Sequence, residues 1–89
     1  MKKEKLYIEF EELGKRLGVK IIKGRGDFKG GSCILNEETV IVVNNMKPIE
    51  HRLKILADSF LEYNLDDVYM VPALRAYIDE FRTLDLYNS

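Results

Sequence analysis

The chain has one cysteine, Cys33, and one histidine, His51, and this pair is the first candidate for chemistry. A cysteine attacks as its thiolate, and histidine is the side chain that most often acts as the base in such a step. The pair therefore predicts a thiol or hydrolytic enzyme with Cys33 as nucleophile and His51 as base. The ordinary alternative is that Cys33 fills space inside a strand, because free cysteine is commonly buried.

A second set of polar side chains has a spacing that can bind a metal ion. His51, Asp58 and Glu62 follow one another at i, i+7 and i+11, which places them within about 40° of one another on a helix. The opposite face of the same helix carries the apolar residues Ile49, Leu53, Leu56 and Phe60. A polar set opposite an apolar stripe is also typical of a solvent-exposed face. Ile55 lies on this face as well, so either it is a stray exposed isoleucine or the last helix or a partner covers that side.

The glycines between Gly24 and Gly31 do not form a nucleotide-binding motif. A dinucleotide fingerprint needs a third glycine at its proper spacing, and a phosphate-binding loop needs a lysine where Ser32 stands. The ordinary role of such glycines is to allow positive φ angles or a close approach of backbone. We therefore expect no cofactor.

Two apolar stripes and a third apolar face predict three helices. The first stripe consists of Leu6, Phe10, Leu13 and Leu17. Gly18 follows it and can adopt the left-handed conformation that ends many helices. Pro48 opens the second helix, which carries the stripe described above, and Pro72 opens the third. The inner face of the third helix consists of Leu74, Ile78 and Phe81.

Three short runs rich in β-branched or apolar residues predict strands; they are Val19–Lys23, Ser32–Leu35 and Val40–Val43. Four consecutive β-branched residues in the last run indicate that both of its faces are covered. The segment Val68–Val71 fits either a short strand or a helical turn.

The predicted order is α-β-β-β-α-α with short links. It predicts an α+β fold in which a small three-stranded antiparallel sheet packs with about three helices. Residues 1–89 form a single domain in this interpretation, and we expect residues 83–89 to be a frayed tail.

Size, charge and cysteine content point to a protein partner. The 89 residues are near the size at which one core only just suffices, so a homodimer is a plausible source of further burial. A single cysteine excludes an internal disulfide and favours a cytoplasmic setting. No apolar run approaches the roughly 18 residues of a membrane span, and a net charge of −1 gives no general attraction to nucleic acid. We therefore expect the partner to be a second copy or another protein.

Residues 5–63 resemble the zincin-like metallopeptidase domain of the ImmA/IrrE type. The landmarks are Leu17-Gly18-Val19, Gly30-Gly31, Ile41-Val42-Val43-Asn44 and Arg52…Leu56-Ala57. In that family the last helix continues as His-Glu-x-x-His, which binds zinc and activates water. Here Asp58, Ser59 and Glu62 stand at those three positions, so the resemblance implies the fold without the activity. The chain is also similar to small bacterial proteins of unassigned function, which implies no mechanism.

The sequence as a whole favours a small, cytoplasmic, non-catalytic binding module that self-associates, because no catalytic motif is complete. Two alternatives remain open at this point. One is the enzyme that uses Cys33 and His51, and the other is a degenerate metallopeptidase-like domain in which His51, Asp58 and Glu62 are the candidate metal ligands.

Overall fold

The described part of the chain, residues 1–88, folds into three helices and three strands in the predicted order. A computed structural model describes the backbone of residues 1–88 and the side chains of residues 1–83. The elements are α1 Lys3–Leu17, β1 Lys20–Gly24, β2 Gly31–Leu35, β3 Glu38–Asn44, α2 Ile49–Phe60 and α3 Pro72–Asn88. The α+β class and the order α-β-β-β-α-α are confirmed. Helix α3 extends over residues 83–88 of the predicted tail, and Ser89 lies outside the described residues.

The first helix ends at the glycine that the sequence indicates. Gly18 has a φ of 71°, in the left-handed region. The Val19 N–H donates to the Gly14 carbonyl at 2.8 Å, and the Gly18 N–H donates to the Lys15 carbonyl at 3.3 Å. These two bonds form a Schellman motif, which satisfies the last carbonyls of the helix and turns the chain toward β1.

The sheet is mixed, so the prediction of an antiparallel sheet is wrong for one of its two strand pairs. The strand order is β1-β3-β2. Strand β1 is parallel to β3, with Lys20 opposite Val40 and Gly24 opposite Asn44, whereas β2 is antiparallel to β3. Neighbouring parallel strands need a connection of a dozen or more residues, and here the loop 25–30, β2 and the next turn provide it. Short links usually join strands that are neighbours in a sheet. The loop 25–30 does not, because it passes over β3 and joins β1 to β2 on the far side.

Helices α1 and α2 pack against one face of the sheet, and α3 packs against these two helices. Phe10, Phe60 and Ile41 are fully buried between the helices and the sheet, and the two phenyl rings stack with their centroids 5.9 Å apart. Side chains alternate between the faces of a strand, so Val40 and Val42 lie on the other face, which we call the outer face.

Strand β3 is the most buried of the three strands, as its β-branched residues predict. Val40 and Ile41 point to opposite faces and are 2% and 0% exposed. Val42, on the outer face, is half-buried. The prediction that both faces of this strand are covered is therefore confirmed at Val40 and only partly met at Val42.

The segment between α2 and α3 is irregular and is held by an arginine. Val68–Val71 is neither strand nor helix in the described structure, although Met70 within it is buried. The Arg75 guanidinium donates hydrogen bonds to the carbonyl oxygens of Leu65 and Val68, each at 3.3 Å. These bonds fix the segment in the absence of regular structure.

Replacing Gly30 by alanine is expected to lower the free energy of unfolding by about 3 kcal/mol. At Gly30, φ is +98°, and an added Cβ would lie 2.7 Å from the carbonyl oxygen of Val42, a backbone atom of the central strand. Gly18→Ala is the control, because nothing lies within 4 Å of its Cβ position and a left-handed φ alone costs about 1 kcal/mol. Urea unfolding measures both variants. Equal losses would contradict the close approach at Gly30.

Candidate functional site

The side chain of Asn44, the last residue of β3, organises the loop 25–30. Asn44 is 1% exposed. Its Nδ2 group donates hydrogen bonds to the carbonyl oxygens of Gly26 (2.8 Å) and Phe28 (2.6 Å), and its Oδ1 atom accepts one from the Met46 N–H (3.0 Å). An asparagine amide offers two N–H donors and a carbonyl acceptor, so these bonds use both ends of the side chain. We call these three bonds the Asn44 clamp.

The Asn44 clamp lies where the chain crosses the sheet. Strand β1 ends at Gly24, opposite Asn44, and β2 begins at Gly31, opposite Val42. The loop between them therefore passes over the carboxyl end of β3, across two strand spacings or about 10 Å. The ring of Phe28 lies 3.0 Å from where a Cβ of Gly24 would be. A glycine at the end of β1 thus leaves room for the ring.

The imidazole of His51 contacts the same loop. Its Nε2 atom lies 3.1 Å from the Lys29 carbonyl oxygen, so Nε2 carries the proton that is donated in this bond. One turn further along α2, Ile55 is 6% exposed and lies 3.6 Å from where a Cβ of Gly30 would be. This side of α2 was expected to face solvent. That expectation is wrong at His51, which is half-buried. Ile55 is not a stray exposed residue, because it covers Gly30, the residue before β2.

The structure does not bring Cys33 and His51 together as a nucleophile and its base. Cys33 lies opposite Val40 in the register, so its side chain is on the outer face, whereas α2 packs against the other face. The Cys33 thiol is exposed. The interpretation of this cysteine as a buried, space-filling residue is therefore wrong.

The three candidate metal ligands lie in different surroundings. His51 is bonded to the loop, Asp58 is exposed, and Glu62 lies in the turn after α2, which ends at Phe60. Helical spacing predicts a common face only as far as the helix continues. Among the side chains of residues 1–83, no group of three or more His, Cys, Asp or Glu residues is arranged to hold a metal ion.

The most exposed strand is β2, a feature that the sequence interpretation missed. Every residue from Ser32 to Leu35 is exposed, with Ile34 at 74% and Leu35 at 47%. Strand β2 has no charged side chain, whereas β1, at the other edge of the sheet, carries Lys20 and Lys23. The absence of charge in β2 was visible in the sequence, but its position at an edge was not.

The β1 edge is charged, and a residue of α1 forms an ion pair with one of its lysines. The Lys23 ammonium lies 3.0 Å from Glu11 Oε2, and this hydrogen bond and ion pair raise the pKa of Lys23 above its ordinary value. The ammonium is also 5.6 Å from the centroid of the Tyr7 ring. Lys23 therefore stays protonated at neutral pH, and the two edges of the sheet differ in character.

The chain matches no protein-family model, no curated protein and no solved structure. The resemblance to the zincin-like domain therefore stays a prediction. None of the helices that the structure describes is long and apolar enough to cross a membrane.

Asn44→Asp is expected to lower the free energy of unfolding by about 3 kcal/mol at neutral pH. The carboxylate is nearly the same size but has no N–H donor, so the Gly26 and Phe28 carbonyls lose their bonds and face a negative charge. Asn45→Asp is the control, because Asn45 is exposed and surface changes usually stay within about 0.5 kcal/mol. Chemical unfolding of the two variants measures the difference, and similar stabilities would show that the Asn44 clamp is unimportant.

Proposed function

We propose that this chain is a small non-catalytic binding module that self-associates through the free edge of β2. The free edge is the side of β2 that does not pair with β3. Three observations support the proposal: the exposure of β2, the contrast between the two edges of the sheet and the small size of the core.

The exposed, uncharged edge of β2 is the observation that carries the proposal. Within the described chain β2 pairs with β3 alone, so the backbone groups on its other side are open to a further strand. Edge strands usually resist such pairing through charged side chains, proline or a bulge. The residues of β2, Gly31–Leu35, include no charge and no proline.

The contrast with β1 favours β2 as the contact. A strand that pairs with β1 would have to approach the exposed side chains of Lys20 and Lys23, and their charges would lose solvent. A strand that pairs with β2 would instead remove Ile34 and Leu35 from water. Full burial of such a side chain contributes about 1.5–3 kcal/mol, which is significant for a domain of this size.

The enzymatic alternatives have no comparable support. A thiol enzyme needs Cys33 and His51 within hydrogen-bond reach, about 3 Å, and the two residues belong to opposite sides of the sheet. At the positions of the zincin motif, Asp58 is exposed, Ser59 is 4% exposed and Glu62 follows the end of α2. The cytoplasmic location remains a prediction, and an exposed thiol at Cys33 is compatible with a reducing setting.

Sedimentation equilibrium of the purified chain from about 2 to 200 µM is expected to show a reversible monomer–dimer equilibrium. Ile34→Lys places a charge on the free edge of β2 and is expected to raise the dimer dissociation constant at least about tenfold. Ile8→Lys is the matched control, because Ile8 is a similarly exposed isoleucine (53%) on α1. This variant is expected to leave the dissociation constant unchanged.

Two results would contradict the proposal. A wild-type chain that stays monomeric over the whole range would remove self-association. A dimer that is weakened by Ile8→Lys and not by Ile34→Lys would place the contact on the helices instead of the sheet.

A further inference from the structure

The turn between β2 and β3 determines how the backbone of β2 is oriented. Asn36 and Glu37 have φ values of 50° and 70°, which are typical of a two-residue type I′ hairpin turn. The residues on either side, Leu35 and Glu38, lie opposite each other in the register. In a two-residue hairpin this flanking pair exchanges both of its backbone hydrogen bonds.

The backbone groups of Ser32 and Ile34 point to the free edge. Hydrogen-bonded and non-hydrogen-bonded pairs alternate along an antiparallel ladder, so Cys33 and Val40, two positions from the turn pair, are again hydrogen-bonded to each other. Ser32 and Ile34 occupy the alternate positions. Each therefore presents one N–H and one C=O group away from β3, and these groups are the ones that a further strand can bind.

One two-fold register uses all of these groups. When two copies of β2 pair antiparallel about Cys33, Ser32 of each copy lies opposite Ile34 of the other, and both pairs exchange two hydrogen bonds. In a register centred on Ser32, Ile34 would have to form hydrogen bonds with Gly30 of the second copy. In a register centred on Ile34, Ser32 would have to form them with Asn36 of the second copy. Gly30 lies before β2 with a φ of 98°, and Asn36 lies in the turn with a φ of 50°, so neither is extended for pairing.

The same register places each large exposed side chain opposite a small one. Ile34 faces Ser32 of the second copy, and Leu35 faces Gly31 of the second copy. The Cβ position of Gly31 has no atom within 4 Å, so the leucine has room to pack there. Cys33 faces Cys33 of the second copy as a non-hydrogen-bonded pair, in which the Cα atoms are about 4.5 Å apart.

We infer that β2 of a second copy binds antiparallel to β2 with the two Cys33 residues opposite each other. This inference rests on the proposed self-association and specifies its register. The two three-stranded sheets then join into one sheet that ends in β1 on both sides. Lys20 and Lys23 oppose further strand addition at those ends, so the assembly closes as a dimer. Pairing of five-residue strands buries less than a standard interface of about 1,600 Å², which makes the dimer weak and concentration-dependent.

Cysteine cross-linking tests the register. Diamide joins two thiols into one S–S bond and takes up the two protons and two electrons that they lose. A disulfide requires Cα atoms no more than about 7 Å apart, so wild-type Cys33 is expected to form a disulfide-linked dimer rapidly. In a Cys33→Ser background, Ser32→Cys and Ile34→Cys are the controls. In the inferred register, the two cysteines of either control lie two residues apart along the paired strands, on opposite sides of the two-fold axis. They are expected to cross-link at least about tenfold more slowly.

The outcomes separate the register from self-association itself. Fast cross-linking at Cys33 alone, lost in urea, supports the inferred pairing. A faster reaction at position 32 or 34, or equal rates at all three positions in a chain that sediments as a dimer, overturns the register and leaves the proposed function standing. Equal slow rates in a chain that sediments as a monomer overturn both.

Discussion

The bonds that Asn44 makes to the loop 25–30 stabilise the crossing on which the order of the strands depends. By holding the carbonyl oxygens of Gly26 and Phe28 over the carboxyl end of β3, the side chain satisfies backbone acceptors that the crossing would otherwise leave unpaired. The loop can then deliver β2 to the far side of β3. Without this crossing β1 and β2 would be neighbours, and the most apolar strand would lie at an edge. Instead β3 is central, and both Val40 and Ile41 are buried.

The strand order in turn leaves two edges of opposite character. Strand β1 faces solvent with lysines, one of which α1 holds by an ion pair. Strand β2 faces solvent with an uncharged run whose Ile34 is 74% exposed. Ile55 of α2 covers Gly30, just before β2, whereas Ser32–Leu35 are exposed. A second strand is the simplest structure that satisfies the backbone and the apolar side chains of β2 together.

The sequence predicts the helices well because their determinants are local: apolar residues at helical spacing and a terminal glycine at Gly18. It does not predict the strand order, because nothing within Val40–Val43 indicates which strands will pair with it. The position of Cys33 on the outer face follows from the pairing of β2 with β3, so the sequence could not predict it either. Glu62 was assigned to a helical face because the end of α2 has no glycine or other clear stop. Asn44 was visible as an asparagine after a β-branched run, but its partners are 16 and 18 residues away.

Residue-resolved amide hydrogen exchange at several protein concentrations tests the central claim, that a second copy covers the free edge of β2. In dilute solution the Ser32 and Ile34 amides should exchange quickly, whereas the Cys33 amide should be protected because it donates to β3. Raising the concentration should slow the first two amides together and leave Cys33 unchanged. Exchange at Ser32 and Ile34 that stays fast at every concentration would contradict the account.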